Sequence, residues 1–128
     1  MFIIIACSKL KNRIKRGKAT DIYNGYLFKL AVEYARLNKY DIYILSSKYG
    51  LIKGDTIINN YDEQFFEHHR GPWPKGKGFF IGSRMTYFRY VPDRIKPLIE
   101  ETDTEDNFGY GKQTVKMQKL LEIAKERD

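Results

Sequence analysis

The chain is poor in several residue types that would mark common classes of protein. Its 128 residues include one cysteine (Cys7), four prolines, one tryptophan and two histidines. A lone cysteine excludes an internal disulfide and a zinc-type cysteine cluster, and it suits a reducing compartment. No apolar run approaches the ~18 residues of a membrane-spanning helix. The opening "MFIIIACSK" is too short for a signal peptide and lacks its leading positive charge. The expectation is a cytoplasmic protein with no membrane partner. Neither a Walker-type phosphate loop nor a G-x-G-x-x-G after the first apolar run is present, which removes two usual routes to ATP and dinucleotides.

Acidic residues are also outnumbered. Lysine and arginine total 23 against 16 for aspartate and glutamate, giving +7 at neutral pH and a pI near 9.4. Such a surplus favours polyanionic partners. It is unevenly spread: "KLKNRIKRGK" at 9–18 carries six cations and no acid, whereas "EETDTED" at 100–106 is acidic. Lys11, Arg13, Lys15, Arg16 and Lys18 therefore form a candidate nucleic-acid arm acting through counterion release, with a solvated surface loop as the plainer alternative.

What remains reads as α/β. Uniformly apolar Phe2–Ala6 suits a strand buried on both faces. Asn24 can cap a helix in which Leu27, Phe28, Ala31, Val32 and Ala35 recur at helical spacing as far as Asn38. "DIYIL" at 41–45 is the second strand, so the first 45 residues read strand, helix, strand. Residues 46–60 read as a long loop and 61–70 as a short helix. "GPWPKGKG" at 71–78 reads as a loop tip. "FFIG" makes a third strand, Ser83 caps a helix to about Tyr90, and Pro92 and Pro97 leave room for one or two turns. Residues 100–111 form another loop, and Met117, Leu120, Leu121 and Ala124 stripe a C-terminal helix. The expected fold is one three-layer, Rossmann-like α/β domain over 1–128 with a small, mainly parallel sheet.

Three apolar runs end in a serine followed by a cation: Ser8-Lys9, Ser47-Lys48 and Ser83-Arg84. In an open α/β sheet these strand ends share the rim where ligands bind. Hydroxyls, a lysine, a bidentate arginine and a helix start at Ser83 would make an anion site there. Serine caps and solubilising cations give the same pattern without a ligand. Cys7, beside Lys9, is a candidate nucleophile or a small buried apolar residue. Asp62 is the best-placed candidate general base, with Glu63 and Asp55 the other acids near the long loop. The side chains of adjacent His68 and His69 diverge on any regular element, so no metal site is expected. Tyr49, Tyr61, Trp73 and Tyr87 could stack on a nucleobase or cover the core.

In order, "ACSKLK", "DIYNGYLF", "ILSSKYGLI", "INNYD", "IGSRMTYF" and "GYGKQTVKMQKLL" resemble a small domain-of-unknown-function family of bacteria, archaea and their viruses. The match falls on Cys7, Ser8, Lys9, Tyr23, Gly25, Phe28, Ser46, Lys48, Tyr49, Gly50, Leu51, Tyr61 and Asp62. The Lys-Tyr-Gly-Leu and Tyr-Asp stretches are more distantly similar to the peroxide-stress protein YaaA and the catalytic domain of archaeosine synthase. Those resemblances imply DNA binding in one case and chemistry on a tRNA nucleobase in the other. The inserted "KNRIKRGK" and the "NFGYGK" stretch depart from the family pattern.

Together these readings predict a nucleotide- or nucleobase-handling protein acting on nucleic acid through a phosphate site at the carboxyl ends of the strands. Lys9, Lys48 and Arg84 would hold phosphate, Ser8 and Ser47 orient it, Gly50 permit the turn and Tyr49 stack on the base. No cofactor is expected. A non-catalytic DNA- or RNA-binding module using 9–18 and a protein-interaction domain, perhaps a homodimer, are the alternatives.

Overall fold

The computed structural model describes residues 1–62, 72–99 and 110–127. In chain order its elements are β1 (Phe2–Ala6), β2 (Arg16–Lys18), α1 (Ala19–Ile22), α2 (Tyr26–Leu37), β3 (Asp41–Ser46), β4 (Gly50–Lys53), β5 (Ile57–Asn59), β6 (Gly78–Ile81), α3 (Arg84–Tyr90), β7 (Lys96–Pro97) and α4 (Tyr110–Glu126). A strand that is apolar at every position needs cover on both faces, and β1 has it. It pairs in parallel with β3 on one side and β6 on the other. The five-stranded sheet runs β4-β3-β1-β6-β7, with β4 alone antiparallel. β2 and β5 form a separate antiparallel pair.

Successive side chains of a strand point to opposite faces, and β1 divides its residues accordingly. Ile3 and Ile5 enter a core with Phe28 and Ala31 of α2 and Met117 and Leu121 of α4. Phe2 and Ile4 enter a second core with Tyr87 of α3, Val91 and Ile95. Burying each such isoleucine contributes about 1.5–3 kcal/mol. Helices on both faces of a mainly parallel sheet make this a three-layer α/β architecture, as the sequence pattern predicts.

Three segments differ from expectation. Residues 46–60 are not a long loop, because Ser47, Lys48 and Tyr49 form a tight turn between the paired residues Ser46 and Gly50. Gly50 has φ +73°, the left-handed conformation that closes a three-residue hairpin turn. The chain therefore reverses at once, and Leu51 and Ile52 pair with Leu45 and Ile44 as β4. Residues 92–99 hold no helix. Lys96–Pro97 instead pairs with β6 at the sheet edge, where a residue without an N–H is tolerated. The α2 cap is Gly25 rather than Asn24. Ser83 caps α3 as expected, accepting from the Thr86 amide at 3.2 Å. Most of the helix expected at 61–70, with Glu63, His68 and His69, and most of the loop expected at 100–111 lie outside the described residues. Among the described residues no helix is long and apolar enough to cross a membrane.

A side chain at Gly50 would have to adopt a left-handed backbone. Gly50→Ala is expected to cost about 1–2 kcal/mol in urea denaturation. An unchanged midpoint would show that the turn does not hold this conformation in solution.

Candidate functional site

The carboxyl ends of β1 and β3 are joined by the groups that follow them. The Cys7 amide donates to the Leu45 carbonyl at 3.1 Å, and the Ser47 amide donates to Cys7 Sγ at 3.3 Å. Between them Ser46 is fully buried, at 0% exposure. Its Oγ accepts from the Lys48 and Tyr49 amides at 3.2 and 3.0 Å, and these fill both lone pairs. The Ser46 proton therefore goes to another hydroxyl, and Tyr23 Oη at 2.8 Å is nearer than Tyr61 Oη at 3.4 Å. Tyr23 cannot donate back to a filled acceptor, so it donates to Tyr61 Oη at 2.7 Å. Ser47 Oγ is 3.1 Å from the same Tyr61 oxygen.

This network sits among cations. Lys11 Nζ lies 4.5 Å from the Tyr61 ring centroid, and Lys48 Nζ lies 5.4 Å from the centroids of both Tyr61 and Tyr49. Ammonium groups at such distances are attracted to the ring face. Burial pushes the Tyr23 phenol far above its ordinary range, against the opposing effect of the bond from Ser46. It also pushes the Cys7 thiol up, against the Ser47 amide and hydroxyl and the charge of Lys11. Burial thus disfavours the Cys7 thiolate.

The basic segment is fastened along its length. Asn12 N donates to the Ile22 carbonyl and Asn24 N to the Leu10 carbonyl, both at 2.8 Å. Asn60 then acts as a bolt: Nδ2 donates to the Asn12 and Ile14 carbonyls at 2.7 and 2.8 Å, while Oδ1 accepts from the Tyr61 amide at 2.8 Å. A groove of about 700 Å³ runs beside this segment, lined by Lys9, Lys11, Arg13, Lys15, Tyr61 and Asp62 among others. Lys9, Arg13 and Lys15 are exposed, and Lys11 is half-buried.

The expected site residues thus divide. Ser47, Lys48 and Tyr49 meet around Tyr61, Cys7 joins them through the Ser47 amide, and Lys9, Lys11, Arg13, Lys15 and Asp62 line the adjoining groove. Ser8 is on the same rim but turned inward. Its Oγ donates to the Leu10 carbonyl at 2.7 Å and accepts from the Gly25 amide at 3.0 Å, and a Cβ on Gly25 would lie 2.6 Å from Ser8 Cβ. Tyr49 presents its ring edge-on to Tyr61 and donates from its hydroxyl to the Asn59 carbonyl at 3.0 Å. Ser83 and Arg84 do not line the groove: Ser83 caps α3, and the Arg84 guanidinium lies 5.3 Å from the Phe88 ring. Arg16 and Lys18 belong to β2, away from the groove lining. Trp73 packs on the core under α3, and Tyr87 is within it.

Three residues of this arrangement carry more than the sequence reading assigned to them. Asn60 positions the basic segment, Tyr23 forms the middle of the hydroxyl network and Ser46 its origin. Each belongs to a stretch quoted for the resemblance, but pairing a tyrosine at 23 with one at 61 needs the tertiary fold. Among the described residues no group of three histidines, cysteines or carboxylates could hold a metal.

The protein is a three-layer α/β protein with a cationic groove beside the carboxyl ends of its two neighbouring parallel strands β1 and β3. A family described as of unknown function, DUF6884, matches residues 2–75, more than half of the chain, and the chain belongs to that family. No curated protein and no solved structure matches it. The match takes in the hydroxyl network and the groove, while Ser83 and Arg84 lie beyond it.

Two measurements probe this site. Tyr23→Phe removes the middle hydroxyl from a buried chain and should cost about 1–3 kcal/mol by urea denaturation, and no loss would break the proposed order of donors. Because burial disfavours the charged thiolate, iodoacetamide should label Cys7 at pH 7 more slowly in the folded protein than in urea. The gap should narrow only as pH rises past the ordinary thiol range. Equal rates at pH 7 would mean an activated nucleophile instead.

Proposed function

We propose that the protein binds the phosphates of a nucleotide or nucleic acid in the groove bordered by the basic segment. One observation carries this reading: four cations line one groove, and among the described residues Lys9, Arg13 and Lys15 have no ion-pair partner. Four cations against the one carboxylate of Asp62 leave the groove with a surplus of positive charge, an arrangement that a polyanion relieves. Lys48 and Ser47 extend the polar surface at the Tyr61 end.

The site supports binding more directly than chemistry. A Cys7 whose thiolate is disfavoured by burial and whose sulfur already accepts the Ser47 amide is a poor nucleophile. Asp62 is the carboxylate available at the groove should a bound nucleotide need a base.

The test is fluorescence anisotropy of labelled DNA and RNA 20-mers, single- and double-stranded, at several salt concentrations. Lys9→Ala/Arg13→Ala/Lys15→Ala should weaken binding at least tenfold at low salt, because phosphate contacts dominate such affinities. The control Lys29→Ala/Lys39→Ala/Lys119→Ala removes the same net charge elsewhere and should change it less than about threefold. Equal losses in the two triple variants, or no binding by the wild type, would sink the reading.

A further inference from the structure

We infer that the groove takes one polynucleotide strand, held through successive phosphates along residues 9–15, in preference to a mononucleotide or a duplex. The inference rests on the phosphate-binding reading and adds the form of the ligand.

The placement of the charges is the first argument. Lys9, Lys11, Arg13 and Lys15 are alternate residues, and all four line the same groove. Alternate Cα atoms stand at most about 7 Å apart, and the whole row spans at most about 20 Å. A lone phosphate is best held by cations converging on one point within hydrogen-bond reach. A row offers separate points instead, as the phosphates of a strand require.

The second argument is that the row is set before any ligand arrives. Backbone bonds to residues 22 and 24 fix residues 10–12, and the Asn60 amide together with the Asn60 N–H bond to the Lys15 carbonyl fixes residues 12–15. Among the described residues Lys9, Arg13 and Lys15 have no carboxylate to give up on binding. With the backbone of the row already set, only the exposed side chains lose order when a strand docks.

The third argument concerns what the groove does not offer. Both Asn60 Nδ2 hydrogens and its Oδ1 are engaged within the protein, and Asn12 Nδ2 donates to the Asp21 carbonyl at 2.7 Å. Tyr61 is 8% exposed, with Lys11 and Lys48 at its ring, so it gives no open face for a base to stack on. Recognition therefore falls on the backbone and tolerates sequence. A shallow, open groove of about 700 Å³ with one row of cations meets one strand's phosphates, and the second strand of a duplex would find no matching row among the residues that line it.

The test is competition by 5′-phosphorylated oligo-dT and oligo-U of one to twelve nucleotides against a labelled 12-mer, from 50 to 200 mM salt. Affinity should climb with each phosphate to about four and then level. The logarithmic salt slope should be about −3, from roughly −0.7 per phosphate neutralised on a single strand. Lys9→Ala, Arg13→Ala and Lys15→Ala should each shrink that slope by about 0.7. All three residues are exposed, and circular dichroism checks that each variant is folded. A mononucleotide that competes as well as the 8-mer would overturn the strand inference and leave phosphate binding standing. A duplex binding as tightly as a strand of equal length would do the same. No binding by any of them would overturn both.

Discussion

The carboxyl rim is organised by a serine hydroxyl that has no access to water. Ser46 ends a parallel strand inside the protein, and burying a hydroxyl without partners costs a few kcal/mol. The hairpin satisfies it by turning the Lys48 and Tyr49 amides back onto its oxygen, and that commits its proton to Tyr23. One polar group thereby fixes three things: where β3 ends, which way the turn faces and how Tyr23 and Tyr61 meet. The lysine at the turn follows from the same geometry, because a chain reversing directly after Ser46 carries residue 48 across the Tyr61 ring.

The basic segment obeys a different logic. Six cations within ten residues would spread apart if left free, since like charges repel and ordering them costs entropy. This segment is nevertheless held by backbone pairing to α1 and its C-terminal neighbours and by the single amide of Asn60. Asn60 also accepts from the Tyr61 amide, so the residue that bolts the cations also places the ring between two of them. The charge row and the hydroxyl network are mechanically one unit, joined at residues 60 and 61.

How much of this was legible in the sequence depends on the range of the interactions. The parallel strands at 2–6 and 41–46, the amphipathic α2, the Ser83 cap and the three-layer class follow from local periodicity and capping chemistry, and the structure has all of them. The hairpin was hidden because Ser-Ser-Lys-Tyr-Gly reads equally well as a loop opening, and only the pairing of Ser46 with Gly50 distinguishes the two. β2, β5 and β7 are too short for a period to register. The recurrence of serine and cation at three strand ends was real as a pattern but uniform only in sequence. In the fold Ser8 turns toward Gly25 and Ser83 caps its own helix, while Ser47 reaches the network around Tyr61. Asn60 escaped notice because an asparagine between a strand and a tyrosine carries no local sign of what its amide will bridge.

The position of the groove follows from what closes the alternative. α2, which links β1 to β3, lies in the layer on the Ile3 and Ile5 side, whereas α3, which links β6 to β7, lies on the Phe2 and Ile4 side. The connections therefore diverge between β1 and β6, and in doubly wound sheets ligands usually bind at such a point. Here the strands approach too closely for that: a Cβ on Gly82 would sit 2.6 Å from Ala6 Cβ, and the buried Gln113 amide of α4 donates to the Gly82 carbonyl at 2.8 Å. Among the described residues the cationic groove lies on the β1–β3 side instead, beside the charged loop after β1. A shorter link from β1 to α2 would leave Tyr61 without Lys11 and the rim without its row of cations, so the length of this link is also what makes the groove.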